Sequence, residues 1–130
     1  MKTKIISILL LVLMSFSVNA NQVEIVKVEF QRSGDHWRVN TTLKHHDTGW
    51  EHYADAWRVV DESGKKLGER ILFHPHENEQ PFTRSLNRLV IPKDITIVYL
   101  EAHDKKHGWS KQRVLVDLSK SKGDRYRVVH

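Results

Sequence analysis

Apolar residues alternate with polar ones in short stretches along most of the chain, and no stretch repeats with the 3.6-residue period of an amphipathic helix. The stretches are rich in Val, Ile, Thr and aromatic residues, and turn residues separate them at intervals of roughly ten residues. Trp37, Val39, Thr41 and Leu43 show the alternation most clearly. The pattern predicts seven β-strands, which cover 23–31, 37–45, 53–60, 67–73, 83–91, 95–102 and 113–118.

Seven short strands in about a hundred residues are typical of an all-β fold, a seven-stranded antiparallel Ig-like β-sandwich. The predicted closing hairpin, with His103 and Asp104 before a Gly-containing loop and Val114 to Leu118 after it, resembles that of many exported Ig-like or fibronectin III-like modules. This resemblance is to a fold, which alone assigns no function. We expect the sandwich at 21–118 and a frayed basic C-terminal tail at 119–130, with an edge strand over 125–129 as the alternative.

The first twenty residues have the layout of a secretory signal peptide. Lys2 and Lys4 precede an apolar run from Ile5 to Phe16, and small residues follow as far as Ala20. The run of about a dozen residues is shorter than the roughly 20 that cross a bilayer. The sequence therefore predicts a signal peptide at 1–20, a periplasmic or secreted protein, and no stable membrane span after cleavage.

Charge and composition exclude several function classes. The chain has 21 basic and 16 acidic residues, but without the signal peptide and the segment 119–130 the remaining residues carry 15 of each sign. A neutral domain with a basic tail lacks the basic face that is typical of nucleic-acid-binding domains, so we expect no nucleic-acid partner. The chain has no cysteine, which excludes disulfides, a lipid on an N-terminal cysteine and a thiolate ligand or nucleophile.

Histidine is the residue type that points to a more specific function. Because antiparallel strands alternate in direction, the loops after the second, fourth and sixth predicted strands share one pole of the sandwich. Seven of the nine histidines fall in these loops, beside Asp47, Glu51, Glu77, Glu79 and Asp104. Imidazoles with neighbouring carboxylates are typical of sites for Zn(II), Cu(II) or Fe(II). The candidate metal ligands are His45, His52, His74, His76, His103 and His107, with His46 as a substitute for His45.

Two short motifs at this pole resemble the iron site of superoxide reductases, which are also Ig-like sandwiches. One is His46, five residues and then His52-Tyr53, with an aromatic residue at Trp57; the other is His107-Gly108-Trp109. In that family the motifs supply equatorial histidines, and an axial cysteine lies three residues before the His-Gly pair. Here His103 stands four residues before His107, and the chain has no cysteine. The resemblance implies metal binding by histidines without the thiolate that the reductase reaction uses.

Other interpretations of the same residues stay open. The histidines are alternatively solvated loop residues, or hydrogen-bonding residues that hold the loops together, or parts of a pH-responsive interface, since histidine titrates at about pH 6.5. Trp50 and Trp109 either cover the end of the core or, with Arg84, contact a protein or a glycan. Arg84 is otherwise expected to pair with Glu77 or Glu79.

No sequence motif of a catalytic class is present. The chain lacks a Gly-x-Ser-x-Gly elbow, a phosphate-binding glycine-rich loop and a His-Glu-x-x-His helix motif. We therefore lean against an enzyme. The leading hypothesis is a small periplasmic β-sandwich that binds a transition metal ion (Cu, Zn or Fe) for storage, delivery or sensing, with a periplasmic protein as a further expected partner. The alternative is a non-enzymatic protein- or glycan-interaction module with structural loop histidines.

Overall fold

The structure is a computed structural model that describes residues 22–130, so the predicted signal peptide lies outside the described residues. Ten strands form in this part of the chain. They are β1 (Glu24–Ser33), β2 (His36–Lys44), β3 (Ala54–Asp61), β4 (Lys66–Ile71), β5 (Phe82–Leu89), β6 (Ile97–Asp104), β7 (Gly108–Trp109), β8 (Val114–Asp117), β9 (Lys122–Gly123) and β10 (Tyr126–Val129). Within residues 22–130, no helix is long and apolar enough to cross a membrane.

The strands form two sheets that pack as a β-sandwich. The first sheet has the order β5-β2-β1-β10-β9, and the second has the order β4-β3-β6-β7, with β8 also paired to β6. Strands β1 and β10 run parallel, with Val28 opposite Tyr126, whereas the other pairs are antiparallel. The all-β sandwich is confirmed. The seven-stranded antiparallel form is wrong, because β7, β9 and β10 are additional strands and one pair is parallel.

The C-terminal segment is part of the first sheet. Tyr126 and Val128 are buried and belong to the hydrophobic core, while Arg125, Arg127 and Val129 are exposed. This alternation follows from the two-residue period of a strand, because successive side chains point to opposite faces. The expectation of a frayed tail is therefore wrong for residues 122–129, where the alternative of an added strand describes β10 better.

The inward-facing positions of two strands continue beyond the apolar core at one end of the sandwich. On β2 the buried series that includes Leu43 reaches His45, and on β6 the buried series that includes Ala102 reaches Asp104. Strands β2 and β6 belong to different sheets. The same alternation that builds the core thus brings one imidazole and one carboxylate to the same end of the molecule from opposite layers.

Candidate metal centre

Three side chains form a compact group of potential metal ligands at this end. His45 follows β2, His52 lies in the loop before β3, and Asp104 is the last residue of β6. One ligand atom from each lies within 4.8 Å of the other two. The rings of His45 and His52 meet edge to face, with centroids 4.8 Å apart. The group contains two nitrogen donors and one carboxylate, supplied by both sheets and a loop.

The carboxylate of Asp104 is fully buried and only half satisfied. Its Oδ1 accepts hydrogen bonds from the backbone N–H groups of Lys106 and His107, at 2.9 and 2.8 Å, and lies 3.1 Å from Nδ1 of the His107 ring. These bonds shape the turn between β6 and β7, which Gly108 completes at a φ of 78° that favours glycine. No group among residues 22–130 donates a hydrogen bond to Asp104 Oδ2.

His52 presents a second buried atom without a hydrogen-bond partner in the described part of the chain. Its Nε2 lies 3.3 Å from Asp104 Oδ1, close enough for an ion pair but without hydrogen-bond geometry. The His52 ring is also 5.0 Å from the ring of His107, measured between centroids. An unsatisfied buried polar group costs about 1–3 kcal/mol. Five other side chains of the described residues also have such an atom, and His52 and Asp104 differ from them because both belong to one group of potential metal ligands.

Asp47 fixes the orientation of His45 and ties the loops of this pole together. Its Oδ1 accepts hydrogen bonds from the His45 ring Nδ1, at 2.5 Å, and from the backbone N–H of Ala54, at 3.0 Å; its Oδ2 accepts from the backbone N–H of His76, at 2.7 Å. Burial raises the pKa of Asp47, but these hydrogen bonds outweigh burial and hold the pKa below its usual value. A carboxylate bonded to one nitrogen of a histidine is the common device that orients a metal-binding imidazole.

His74 and His76 form a neighbouring pair that Asp47 links to the group. Their ring centroids are 4.5 Å apart, and the His76 ring stacks on Phe82 at 4.0 Å. Arg84 lies 2.9 Å from His76 Nε2. Burial lowers the pKa of His76, and its electrostatic interactions with Arg84 and His74 lower it further. The lowered pKa favours the neutral form of the His76 ring, which stacks on the apolar side chain of Phe82.

The structure places His103 and His46 away from the group. On β6 the residues alternate, so that Asp104 points inward and His103 points outward. His103 Nδ1 lies 2.5 Å from Asp55 Oδ1, and the ring packs edge to face against Trp109. His46 is exposed, whereas the adjacent His45 is buried.

The structure therefore brings together two of the six candidate ligands, His45 and His52, and sets His107 beside them. The structure also places Asp104 in the group, although the sequence predicted it only as a carboxylate beside the histidines and not as a ligand. Asp104 is also the residue three positions before His107, which is where the superoxide reductase motif carries its cysteine. The inward position of Asp104, two residues beyond the buried Ala102, follows from the alternation of β6 as the structure shows it.

The aromatic residues of this pole differ in exposure. Trp50 is 66% exposed and Phe73 is 76% exposed, so Trp50 does not cover the core. Trp109 is half-buried beneath the Arg58 guanidinium, which lies 3.6 Å from its ring centroid. Arg84 Nη1 lies 3.6 Å from Glu79 Oε1, in agreement with the expected pairing.

Comparison with known proteins finds a similar protein in an archaeon. A protein of the archaeon Halomicrobium mukohataei, named "Putative lipoprotein", is 36% identical to this chain over 101 residues, which are 77% of this chain and 49% of that protein. The chain thus spans about half the length of this relative. No family model matches the chain. No solved structure matches it significantly.

Proposed function

We propose that the protein binds one transition metal ion through His45, His52 and Asp104, with His107 as an adjacent fourth donor. The observation that carries this proposal is the pair of buried polar atoms without hydrogen-bond partners, His52 Nε2 and Asp104 Oδ2, within one compact ligand group of the described residues. Asp47 supports it, because its carboxylate orients His45. Ligands on one ion at about 2.0–2.2 Å lie within about 4 Å of one another, so the metal would draw the three donors slightly closer.

The donor set favours divalent ions of intermediate hardness. Two imidazoles and a carboxylate suit Zn(II), Fe(II) and Cu(II), whereas Cu(I) prefers thiolate and thioether ligands. The chain has no cysteine, and none of the three donors is a methionine. The proposed roles are storage, delivery or sensing of the ion, which require its binding and release.

Calorimetric titration with Zn(II) tests the assignment of the ligands. We expect one equivalent of Zn(II) per wild-type chain, and on the order of 100-fold weaker binding for His52→Ala. Loss of a residue that only hydrogen-bonds to a metal ligand already weakens metal affinity about 10–100-fold, and His52 is proposed as a ligand itself. The matched controls are His103→Ala, which removes a histidine bonded to a carboxylate outside the group, and the double variant His74→Ala, His76→Ala. Equal affinity in wild type and His52→Ala would contradict the proposed site.

We further propose that the protein acts in the periplasm or outside the cell. The proposal rests on the predicted signal peptide at 1–20 and on the name of the archaeal relative, which describes a lipoprotein. From that name we infer export for this chain but not lipidation, because these 130 residues contain no cysteine that a lipid could modify. Fractionation of cells that express the chain tests it: recovery in the periplasm or medium with a new N-terminus at Asn21 is expected, and a cytoplasmic product that still begins at Met1 would oppose it.

A second candidate function is an interaction module at the same pole. The exposure of Trp50 and Phe73 favours it, because large aromatic side chains at the surface are enriched at binding interfaces. In this case Trp50→Ser would abolish capture of a periplasmic partner and leave Zn(II) binding unchanged. The two functions are compatible if the partner exchanges the metal.

A further inference from the structure

The outer face of the first sheet carries cations that the sequence scatters over three separate segments. Lys27 lies on β1, Arg38 on β2 and Arg127 on β10, and all three are exposed. The pairing of β10 with β1 brings Arg127 opposite Glu29. Because the C-terminal segment is folded onto the sheet, its charge contributes to a surface rather than to a free tail.

The strand register places the residues of this face in two rows that cross the sheet. In one row, Ser85, Asn40, Glu29 and Arg127 are successive neighbours on β5, β2, β1 and β10. The Ser85 hydroxyl donates to Asn40 Oδ1 at 2.6 Å. The row thus runs from a hydroxyl and an amide to charged groups.

The second row is parallel to the first. Thr83, Thr42 and Lys27 are neighbours on β5, β2 and β1, and the two threonine hydroxyls are hydrogen-bonded at 2.7 Å. The two rows line an open groove of about 670 Å³. A ligand in this groove would meet hydroxyl and amide groups at one side, where Arg38 bonds to Asn40 and Ser85. At the other side it would meet Lys27 and Arg127.

Three of the four cations that line this groove differ from the arginines on the second sheet; the fourth, Arg125, pairs with Glu24 at 3.2 Å. On the second sheet, Glu101 binds both Arg58 and Arg113, at 2.9 and 3.1 Å. On the first sheet, Lys27, Arg38 and Arg127 have no carboxylate within 4.0 Å among the described residues, while Glu29 accepts a hydrogen bond from Gln31. Three cations without acidic partners on one face form a site for anionic groups.

We propose that this groove binds an anionic polysaccharide. Guanidinium and ammonium groups bind sulfates and carboxylates, while the threonine, serine and asparagine side chains bind sugar hydroxyls. The two apolar residues that line the groove, Val28 and Tyr126, are at most 9% exposed. Membrane-binding faces commonly add exposed apolar side chains to their cations, and sites for single-stranded nucleic acid commonly add exposed aromatic ones. The composition of the groove therefore favours a hydrophilic, charged sugar chain over either.

Binding of the full chain to heparin, polygalacturonate and neutral dextran tests this site. Heparin tests sulfate recognition and polygalacturonate tests carboxylate recognition. We expect binding to at least one anionic polymer, none to dextran, and a rise in Kd of at least tenfold for the double variant Arg38→Gln, Arg127→Gln.

The matched control is Lys65→Gln, Lys93→Gln, which removes the same net charge from exposed turns outside the groove. We expect less than a threefold change in Kd for this control. An equal loss in both double variants would show attraction by total charge and would overturn the proposal. So would the absence of binding to both anionic polymers, or tighter binding to phosphatidylglycerol vesicles or to an oligonucleotide. If the Arg127 variant melts below the assay temperature, Lys27→Gln, Arg38→Gln replaces it without a change in β10.

Discussion

Asp104→Asn separates a metal ligand from a structural hydrogen-bond acceptor. The amide oxygen of asparagine can still accept from the backbone N–H groups of Lys106 and His107, but the charge and the oxygen at the Oδ2 position are lost. Weaker hydrogen bonds at Oδ1 destabilise the metal-free protein, while removal of a buried charge stabilises it, and the two effects oppose each other. The substitution should therefore change the melting temperature of the metal-free protein less than it changes the rise in melting temperature that Zn(II) causes.

The size of that shift follows from the linkage of binding to folding. At a free Zn(II) concentration 1,000 times the Kd, binding stabilises the native state by about 4 kcal/mol. At about 4 °C per kcal/mol for a domain of this size, the wild-type melting temperature should rise by roughly 16 °C. If Asp104→Asn weakens binding on the order of 100-fold, the same Zn(II) concentration contributes about 1.4 kcal/mol, or roughly 6 °C.

Differential scanning calorimetry with and without Zn(II) measures both quantities. The control is Asp55→Asn, which changes a carboxylate bonded to His103 outside the ligand group and should keep the full shift. A full shift in Asp104→Asn would refute the assignment of Asp104 as a ligand. A metal-free Asp104→Asn that is strongly destabilised and retains the shift would identify Asp104 as a turn-forming residue alone.

Three further predictions test the surroundings of the site and the fold. Asp47→Asn should weaken Zn(II) binding about 10–100-fold in calorimetric titration, because it loosens the orientation of His45, and should also lower the free energy of unfolding; unchanged affinity would argue against this orienting role. Because the pKa of His76 is lowered in the folded state, its stabilising contribution is complete above about pH 6.5 and is lost as the pH falls through the folded pKa. Urea unfolding at pH 7.5 and pH 5.0 should then show a larger loss of stability for wild type than for His76→Gln, and equal losses would contradict the sign. Val128→Asp should cost more than about 3 kcal/mol by placing a charge in the core, whereas the outward-facing Val129→Asp should melt within a few degrees of wild type, and equal melting temperatures would contradict the packing of β10.

The alternation of apolar residues predicted most of the fold because each main strand buries one face. The seven predicted strands correspond to β1–β6 and β8, and their ends are shifted by a few residues. Strands β7 and β9 contain two residues each, too few for an alternating pattern. Strand β10 was obscured by two charged residues, Arg125 directly before it and Arg127 within it, although the spacing of Tyr126 and Val128 fits a strand. Parallel pairing with β1 depends on the position of both strands in the finished sheet, which no local pattern encodes.

The site was partly predictable for the same reason. The loop count brought His45 and His52 to one pole, and the alternation along β2 distinguishes the buried His45 from the exposed His46. The role of Asp104 was missed because residues 95–102 do not alternate clearly enough to assign an inward face beyond Ala102. The separate contacts of His103 with Asp55 and Trp109 depend on which side of β6 it occupies. Histidine spacing alone therefore could not decide between neighbouring residues.

Metal content is the most direct test of the central claim. Protein purified from the periplasm without an affinity tag or chelating resin should contain close to one equivalent of Zn, Fe or Cu per chain, as measured by inductively coupled plasma mass spectrometry. The double variant His45→Ala, His52→Ala, purified in the same way and shown to be folded, should contain less than about a tenth of that amount, in keeping with the loss of two ligands. Wild-type protein without bound metal, and without a Zn(II)-dependent shift in melting temperature, would contradict the proposed metal site.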